Sequence, residues 1–272
     1  MTTKFFTSQG PAALIAGTAM LFASAVFAQE DEQDMSERWK FSFGIGAVNQ
    51  AKYPGASKEK TTAFPIFSAN YGRYFIGALP GAGIPAGVGM SFYRDQNWNI
   101  GAGVGYNFVK PRKESDSASL RGMGDIDRTA LGSFFASYSQ DWLKVTGAVV
   151  TDIGDKGQGV RVLLDLQGRY RVSDRLMLTA GTSLVWANSK YTQTFFGVTA
   201  AQSAASGSLP QYSASSGLNS VAFAIGASYR LTPQWGIGAR LSANQLHGDA
   251  VDSPITEKKN RNTFGVFSNY RF

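Results

Sequence analysis

The chain has 272 residues, of which 43% are hydrophobic and 17% are charged, and its formal net charge is +7. It contains no cysteine and one histidine, His247, which excludes disulfide scaffolds, iron–sulfur proteins, cysteine enzymes and zinc sites built from thiolates or several histidines. The mean hydropathy of −0.14 is too polar for a protein with several membrane-spanning helices, because each helix needs roughly 20 apolar residues. Abundant glycine and aromatic residues (31 Gly, 19 Phe, 11 Tyr) instead favour a β-rich protein with many tight turns.

The first 28 residues have the pattern of a secretory signal peptide. Lys4 provides a positive charge near the start, residues 10–28 are uncharged, and Val26 and Ala28 are small residues at the −3 and −1 positions of a cleavage site. An uncleaved anchor helix is the alternative, but the apolar stretch is short and acidic residues follow from Glu30 onward. We therefore expect a cleaved signal peptide at 1–28 and export into the envelope of a Gram-negative bacterium.

The rest of the chain alternates apolar and polar residues with the two-residue period of β-strands. Near its middle, Val162 and Leu164 share one face of such a segment, whereas Asp165 and Arg169 share the other. The pattern predicts an all-β protein of about twelve antiparallel strands. These strands are expected at residues 38–49, 61–71, 73–79, 84–94, 97–109, 128–140, 142–153, 158–173, 175–188, 219–232, 234–246 and 261–272.

Short and long connections alternate between these strands. Tight turns are expected near residues 72, 95–96, 140–141, 173–174 and 233–234, whereas most other connections are longer (50–60, 110–127, 189–218 and 247–260) and two are short (80–83 and 154–157). Tyrosine and tryptophan gather near the tight turns, as they do at a membrane–water interface. A soluble β-sandwich would also alternate, but it gives no reason for this gathering. Residues 29–272 are therefore predicted to form a transmembrane antiparallel β-barrel of the outer-membrane type, with both termini at its periplasmic end.

Alternation places a set of charged side chains on the inner face of the predicted barrel. The lumen-lining candidates are Lys40, Asp152, Arg161, Asp165, Arg169, Arg171, Arg230, Arg240 and Arg271. One interpretation is a narrow passage that favours anions. The other, which we favour because twelve strands leave only a modest bore, is an interior packed by Arg–Asp pairs and water without transport.

The positive net charge has two further interpretations. Nucleic-acid binding is not expected, because the arginines lie on separate strands and form no basic helix or stripe. Basic residues of the long loops are expected to be exposed and to contact outer-membrane lipid head groups or lipopolysaccharide phosphates. These loop residues are Lys52, Lys58, Lys60, Lys110, Arg112, Lys113, Lys258 and Lys259.

Two loop regions remain to be interpreted. His247 is followed by Asp249, Asp252 and Ser253, which permits a hypothetical hydrolase at the barrel rim, but a solvated loop histidine is the simpler interpretation. No catalytic, metal or cofactor site is predicted. The connection 189–218 carries several aromatic residues and is predicted to fold into the lumen as a plug or to form a surface contact; the alternative is a mobile surface loop. Its aromatic residues are Tyr191, Phe195, Phe196 and Tyr212.

Several short stretches together resemble the MltA-interacting protein (MipA/OmpV) family. They include Tyr53-Pro54-Gly55, Phe195-Phe196-Gly197-Val198-Thr199, Leu246-His247-Gly248-Asp249-Ala250 and the closing Tyr270-Arg271-Phe272. The resemblance implies a non-enzymatic outer-membrane barrel that acts as a scaffold for a lytic murein transglycosylase and a bifunctional penicillin-binding protein. A narrow channel for small polar or anionic solutes is the alternative function.

Overall fold

The computed structural model describes residues 38–272, and the expected signal peptide at 1–28 lies outside the described residues. The described chain forms twelve antiparallel strands in one closed barrel, in which each strand pairs with its sequence neighbours and β12 pairs with β1. The strands are β1 (Lys40–Ala51), β2 (Glu59–Tyr71), β3 (Tyr74–Leu79), β4 (Ile84–Arg94), β5 (Trp98–Tyr106), β6 (Ala130–Gln140), β7 (Leu143–Asp152), β8 (Val160–Arg171), β9 (Leu176–Ala187), β10 (Gly217–Arg230), β11 (Trp235–Leu246) and β12 (Asn260–Arg271). The predicted all-β barrel and its strand count are confirmed.

The outer face of the barrel is apolar and uncovered. Val162 and Leu164 on β8 are 39% and 38% exposed, and Phe223 on β10 is 64% exposed. In a β-sandwich these side chains would be buried against a second sheet. Their exposure instead fits a wall that faces lipid, so the sandwich alternative is excluded.

The two ends of the barrel differ in their connections. The start of β1 and the end of β12 lie at the end of the barrel with short turns, where Ser42 pairs with Arg271. Aromatic rings pack in pairs across neighbouring strands near this end, with ring centroids 5.0 Å apart for Trp98 and Tyr138. The long loops lie at the opposite end, and we call these four loops (residues 52–58, 107–129, 188–216 and 247–259) the cap.

The cap contains helices that the sequence analysis did not predict. They are α1 (Ser189–Phe196) and α2 (Ala200–Ser206) in the connection predicted as a loop at 189–218, and α3 (Asp249–Asp252) in the last loop. The side chain of Asn188 accepts a hydrogen bond from the backbone N–H of Tyr191 and so caps the start of α1. None of the helices between residues 38 and 272 is long and apolar enough to cross a membrane.

The connection between β3 and β4 folds into the bore of the barrel. We call residues 80–83 the inward turn. Ala82 is buried against the inward-facing Phe135 and Ala148 on β6 and β7, and its carbonyl oxygen accepts a hydrogen bond of 2.5 Å from the Ser133 hydroxyl. The turn therefore connects β3 and β4 with β6 and β7, which are not paired with either of them in the sheet.

Inward glycines make room for inward aromatic rings. A side chain at Gly238 on β11 would place its Cβ 2.3 Å from Cζ of Phe267, a distance that real Cβ atoms do not tolerate. Gly46 on β1 lies under Phe64 in the same way, with a corresponding distance of 2.7 Å. The predicted polar lumen is thus partly filled by rings that lie over backbone, because glycine permits this close approach.

Replacing Gly238 with alanine is expected to destabilise the barrel by about 1–3 kcal/mol, because the Phe267 ring must leave its position over the backbone. Urea-dependent unfolding in detergent or lipid vesicles measures the change. Gly147→Ala on β7 is the matched control, because a Cβ there would meet nothing within 4 Å. Equal stability of the two variants would contradict the proposed ring-over-glycine packing.

Candidate functional site

The strand register determines which way the lumen-lining candidates face. Each of them lies on the face opposite the exposed apolar residues, because strand neighbours share a face: Asp152 pairs with Leu131, Arg161 with Ala187 and Arg271 with Ser42. They occupy different heights in the barrel. Asp152 and Arg161 lie at the cap end, Asp165 and Arg240 lie near the middle of their strands, and Lys40, Arg169, Arg171, Arg230 and Arg271 lie at or near the short-turn end.

The middle group is the part of this set that lines the bore away from both rims. Arg240 is 6% exposed, and Asp165 accepts a hydrogen bond of 2.6 Å from the Ser183 hydroxyl. Asp152 has a different role. Its carboxylate accepts hydrogen bonds of 2.8 Å from the backbone N–H groups of Lys156 and Gln158, so it organises the turn between β7 and β8.

The group at the short-turn end surrounds a pocket in the barrel rim. Arg171, Arg230 and Arg271 line it together with Arg175, and the pocket volume is about 80 Å³. Backbone hydrogen bonds hold this rim together, since the N–H of Arg230 donates to the carbonyl of Arg175 at 2.8 Å. The sequence analysis missed Arg175, although its place in a tight turn just after the inward Arg171 could have indicated it.

The predicted plug or contact residues lie in the cap. Tyr191 and Phe195 on α1 stack with their ring centroids 4.2 Å apart, and Phe196 is 2% exposed. Tyr212 is half-buried, and its hydroxyl donates a hydrogen bond of 2.9 Å to the carbonyl of Asp249. Tyr191, Phe195 and Phe196 join α1 to α3 in a small apolar core, and Tyr212 packs against a second core formed by other loops of the cap.

The expectation that Arg112 is exposed was wrong. Arg112 is 3% exposed, and its Nη1 donates a hydrogen bond of 3.1 Å to the carbonyl of Phe195, because the loop 107–129 folds back against α1. Burial lowers the pKa of Arg112 below its usual value. Lys110 is also engaged, in ion pairs of 3.0 Å with Asp125 and Asp127. Lys52 and Lys60 are half-buried, and the remaining basic loop residues of the set are exposed: Lys58, Lys113, Lys258 and Lys259.

Glu257 connects three loops of the cap. Its Oε1 accepts hydrogen bonds from the hydroxyls of Ser117 at 2.6 Å and Ser119 at 2.5 Å, and its Oε2 accepts one from the backbone N–H of Ser57 at 2.8 Å. Burial alone would raise the pKa of Glu257, but these hydrogen bonds outweigh it and lower the pKa to about 2. The neighbouring Tyr53 donates to the same carboxylate at 3.2 Å, and burial raises its pKa to about 12.

The groups of the hypothetical hydrolase at His247 serve the packing of the cap. The Ser253 hydroxyl donates a hydrogen bond of 2.5 Å to the carbonyl of Phe196, and the Asp249 carboxylate accepts one of 2.6 Å from the backbone N–H of Ser215. Within the described range, no three histidine, aspartate or glutamate side chains are placed to hold a metal ion.

A closed antiparallel barrel with an apolar outer face, short turns at one end and long loops at the other defines the class of outer-membrane β-barrel proteins. Residues 43–272 match the family described as MltA-interacting protein MipA, and the chain belongs to that family. Curated protein sequences gave no match.

Solved outer-membrane barrels are similar to this chain in architecture. An outer-membrane channel from Pseudomonas putida F1 is 13% identical, with 89% of this chain and 98% of that chain covered and a TM-score of 0.46. OmpT of Vibrio cholerae is 11% identical, with 86% of this chain and 97% of that chain covered and a TM-score of 0.39.

Acidification is expected to loosen the cap at Glu257. The pKa of about 2 lies below the ordinary value of 4.5, so the hydrogen-bonded carboxylate stabilises the cap fully above about pH 4.5 and loses this effect as the pH falls towards 2. Hydrogen–deuterium exchange, corrected for intrinsic rates, should accelerate over that range in residues 52–58 and 114–120. Glu257→Gln should accelerate it already at neutral pH, whereas Asp174→Asn at the other end of the barrel should not. Unchanged exchange in the Gln variant would contradict the role given to Glu257.

Proposed function

We propose that this protein is a non-enzymatic scaffold of the Gram-negative outer membrane, which joins a lytic murein transglycosylase to a bifunctional penicillin-binding protein. The observation that carries the proposal is the family match over residues 43–272, since the family is described by its interaction with MltA. Cleavage near Ala28 would remove the signal peptide and leave a mature protein that starts near Gln29.

The geometry of the interior supports a structural role. The inward turn packs inside the barrel against β6 and β7, and rings such as Phe267 fill space above the inward glycines. At the cap end, buried aromatic residues pack over the barrel wall. Such an interior stabilises the barrel more readily than it conducts solutes.

The surface available to periplasmic enzymes is the short-turn end. It combines the arginine-lined rim pocket with the exposed turns, and an acidic segment at residues 30–34, which lies outside the described residues, precedes β1 in the sequence. Charged surface of both signs favours electrostatic recognition of partners. At the opposite end, the exposed Lys58, Lys113, Lys258 and Lys259 suit contact with lipopolysaccharide phosphates.

A narrow channel for small anions is the second candidate function, and the inward-facing basic residues of β8 and β11 favour it. Arg169 and Arg240 both lie on the inward face, in positions joined through the paired strands between them. Their positive charge would attract anionic solutes into any water-filled path past the inward turn.

The scaffold proposal predicts that the full barrel recovers a murein hydrolase or a murein synthase from detergent-solubilised envelope. Charge reversal at the rim, Arg175→Glu with Arg230→Glu, should reduce this recovery by about tenfold, because it removes the positive pocket. Arg121→Glu in the cap is the matched control and should recover as much as the unmodified protein. Recovery of neither enzyme by the unmodified protein would end the scaffold proposal.

Planar-bilayer recording separates the two candidate functions. The scaffold proposal predicts no discrete conductance from the purified barrel, and the packing of the inward turn inside the barrel and of the cap at one end supports this expectation. Discrete openings whose anion preference falls in Arg169→Glu or Arg240→Glu would instead favour the channel.

A further inference from the structure

A cavity of about 80 Å³ lies beneath the cap, between the loops and the rim of the barrel. Its lower wall is formed by inward-facing residues at the cap ends of β8, β11 and β12, including Arg161, Asn244 and Arg261. Its upper wall is formed by Tyr53 and by Tyr191 and Phe195 of α1. The cavity is separate from the rim pocket at the short-turn end, and Tyr53 on its wall donates a hydrogen bond of 3.2 Å to the Glu257 carboxylate.

The charged residues that line this cavity are all basic. Lys52, Arg161, Lys259 and Arg261 line it, and no acidic residue is among the described residues that form its wall. The nearby Glu59 forms an ion pair with Nη2 of Arg261 at 2.7 Å, which balances one of the four positive charges. The remaining excess of positive charge favours an anion in this space.

Two buried polar atoms at the cavity wall have no hydrogen-bond partner in the described part of the chain. They are Oδ1 of Asn107, whose residue is 5% exposed, and Nε of Arg261. Buried polar groups in folded proteins are nearly always satisfied, and an unsatisfied one is destabilising. Both residues line the cavity, where the Nε–H of Arg261 would donate to an anion and the Asn107 oxygen would accept from a donor such as water.

The upper wall adds an apolar surface and holds one of the cations in place. The Tyr191 and Phe195 rings are stacked, and the guanidinium carbon of Arg161 lies 5.3 Å from the centroid of the Tyr191 ring. A cation–π contact of this kind keeps the Arg161 head group beneath the aromatic wall. An anion that also carries an apolar part would therefore contact both kinds of surface.

We propose that the cavity beneath the cap binds a small organic carboxylate, with its carboxylate towards Arg161 and Arg261 and its apolar part against Tyr191 and Phe195. Guanidinium groups suit a carboxylate because their N–H donors match its two oxygens. The cavity volume is about 80 Å³, against roughly 150 Å³ for an apolar cavity that holds benzene, which limits the ligand to a short-chain carboxylate. Exposed Lys259 at the wall places one side of the cavity next to solvent. The proposal does not depend on the scaffold function.

Isothermal titration calorimetry of the full barrel in detergent tests the proposal, with propionate as the probe. Propionate should bind at one site, and Arg161→Gln and Arg261→Gln should each weaken binding by about tenfold or more, because each removes a charge-assisted hydrogen bond. Arg121→Gln changes an exposed cap arginine outside the cavity and should bind like the unmodified protein. Heat-modifiable migration on gels shows that each variant still forms a barrel, and Arg161→Lys, which keeps the positive charge, should retain more affinity than Arg161→Gln.

Two further probes define what would overturn the proposal. 1-Propanol has the apolar part without the charge, and inorganic phosphate has the charge without the apolar part, so both should bind at least about tenfold more weakly than propionate. Equal binding of 1-propanol would show an apolar pocket, and equal binding of phosphate would show a general anion site. Either result, absent propionate binding, or propionate binding that both Gln variants leave unchanged would overturn the proposed carboxylate site.

Discussion

The constraint on which the whole structure depends is that backbone N–H and C=O groups within hydrocarbon must all find partners inside the protein. A sheet with a free edge would leave a row of them unpaired, and the pairing of β12 with β1 removes that edge. Once the sheet is closed, the two-residue period of each strand sends one set of side chains to lipid and the other to the bore. The apolar wall and the basic interior are two consequences of the same closure.

The fold could be predicted from the sequence because the membrane imposes this period along nearly every strand. Alternation such as that around Val162 and Leu164 predicts the strands and the direction of each side chain, and the alternation of loop lengths predicts the two ends of the barrel. Where the two-residue alternation stops, the sequence no longer predicts the direction that the chain takes. Gly81, Gly83 and Pro85 show that the connection between β3 and β4 is irregular, but local sequence does not reveal that it turns into the bore rather than away from it.

The candidate site could be predicted only in part, for a similar reason. Residues on strands, such as Arg240, take their direction from the register. Residues in the cap take theirs from contacts between loops that are distant in the sequence: Arg112 is buried because α1 packs against its loop, and Glu257 meets Ser57 and Ser117 from two other loops. Asn107 and Arg261 stand at strand ends, and only the packing of the cap above them creates the cavity that they share.

The inward turn has a mechanical consequence. A hollow tube in a bilayer is squeezed from the side, and unequal pressure would flatten it into an ellipse. The hydrogen bond between the Ser133 hydroxyl and the Ala82 carbonyl, with the apolar contacts around it, links strands that are not neighbours in the sheet. Flattening the barrel would therefore have to disrupt these interior contacts as well as bend the ring of strands.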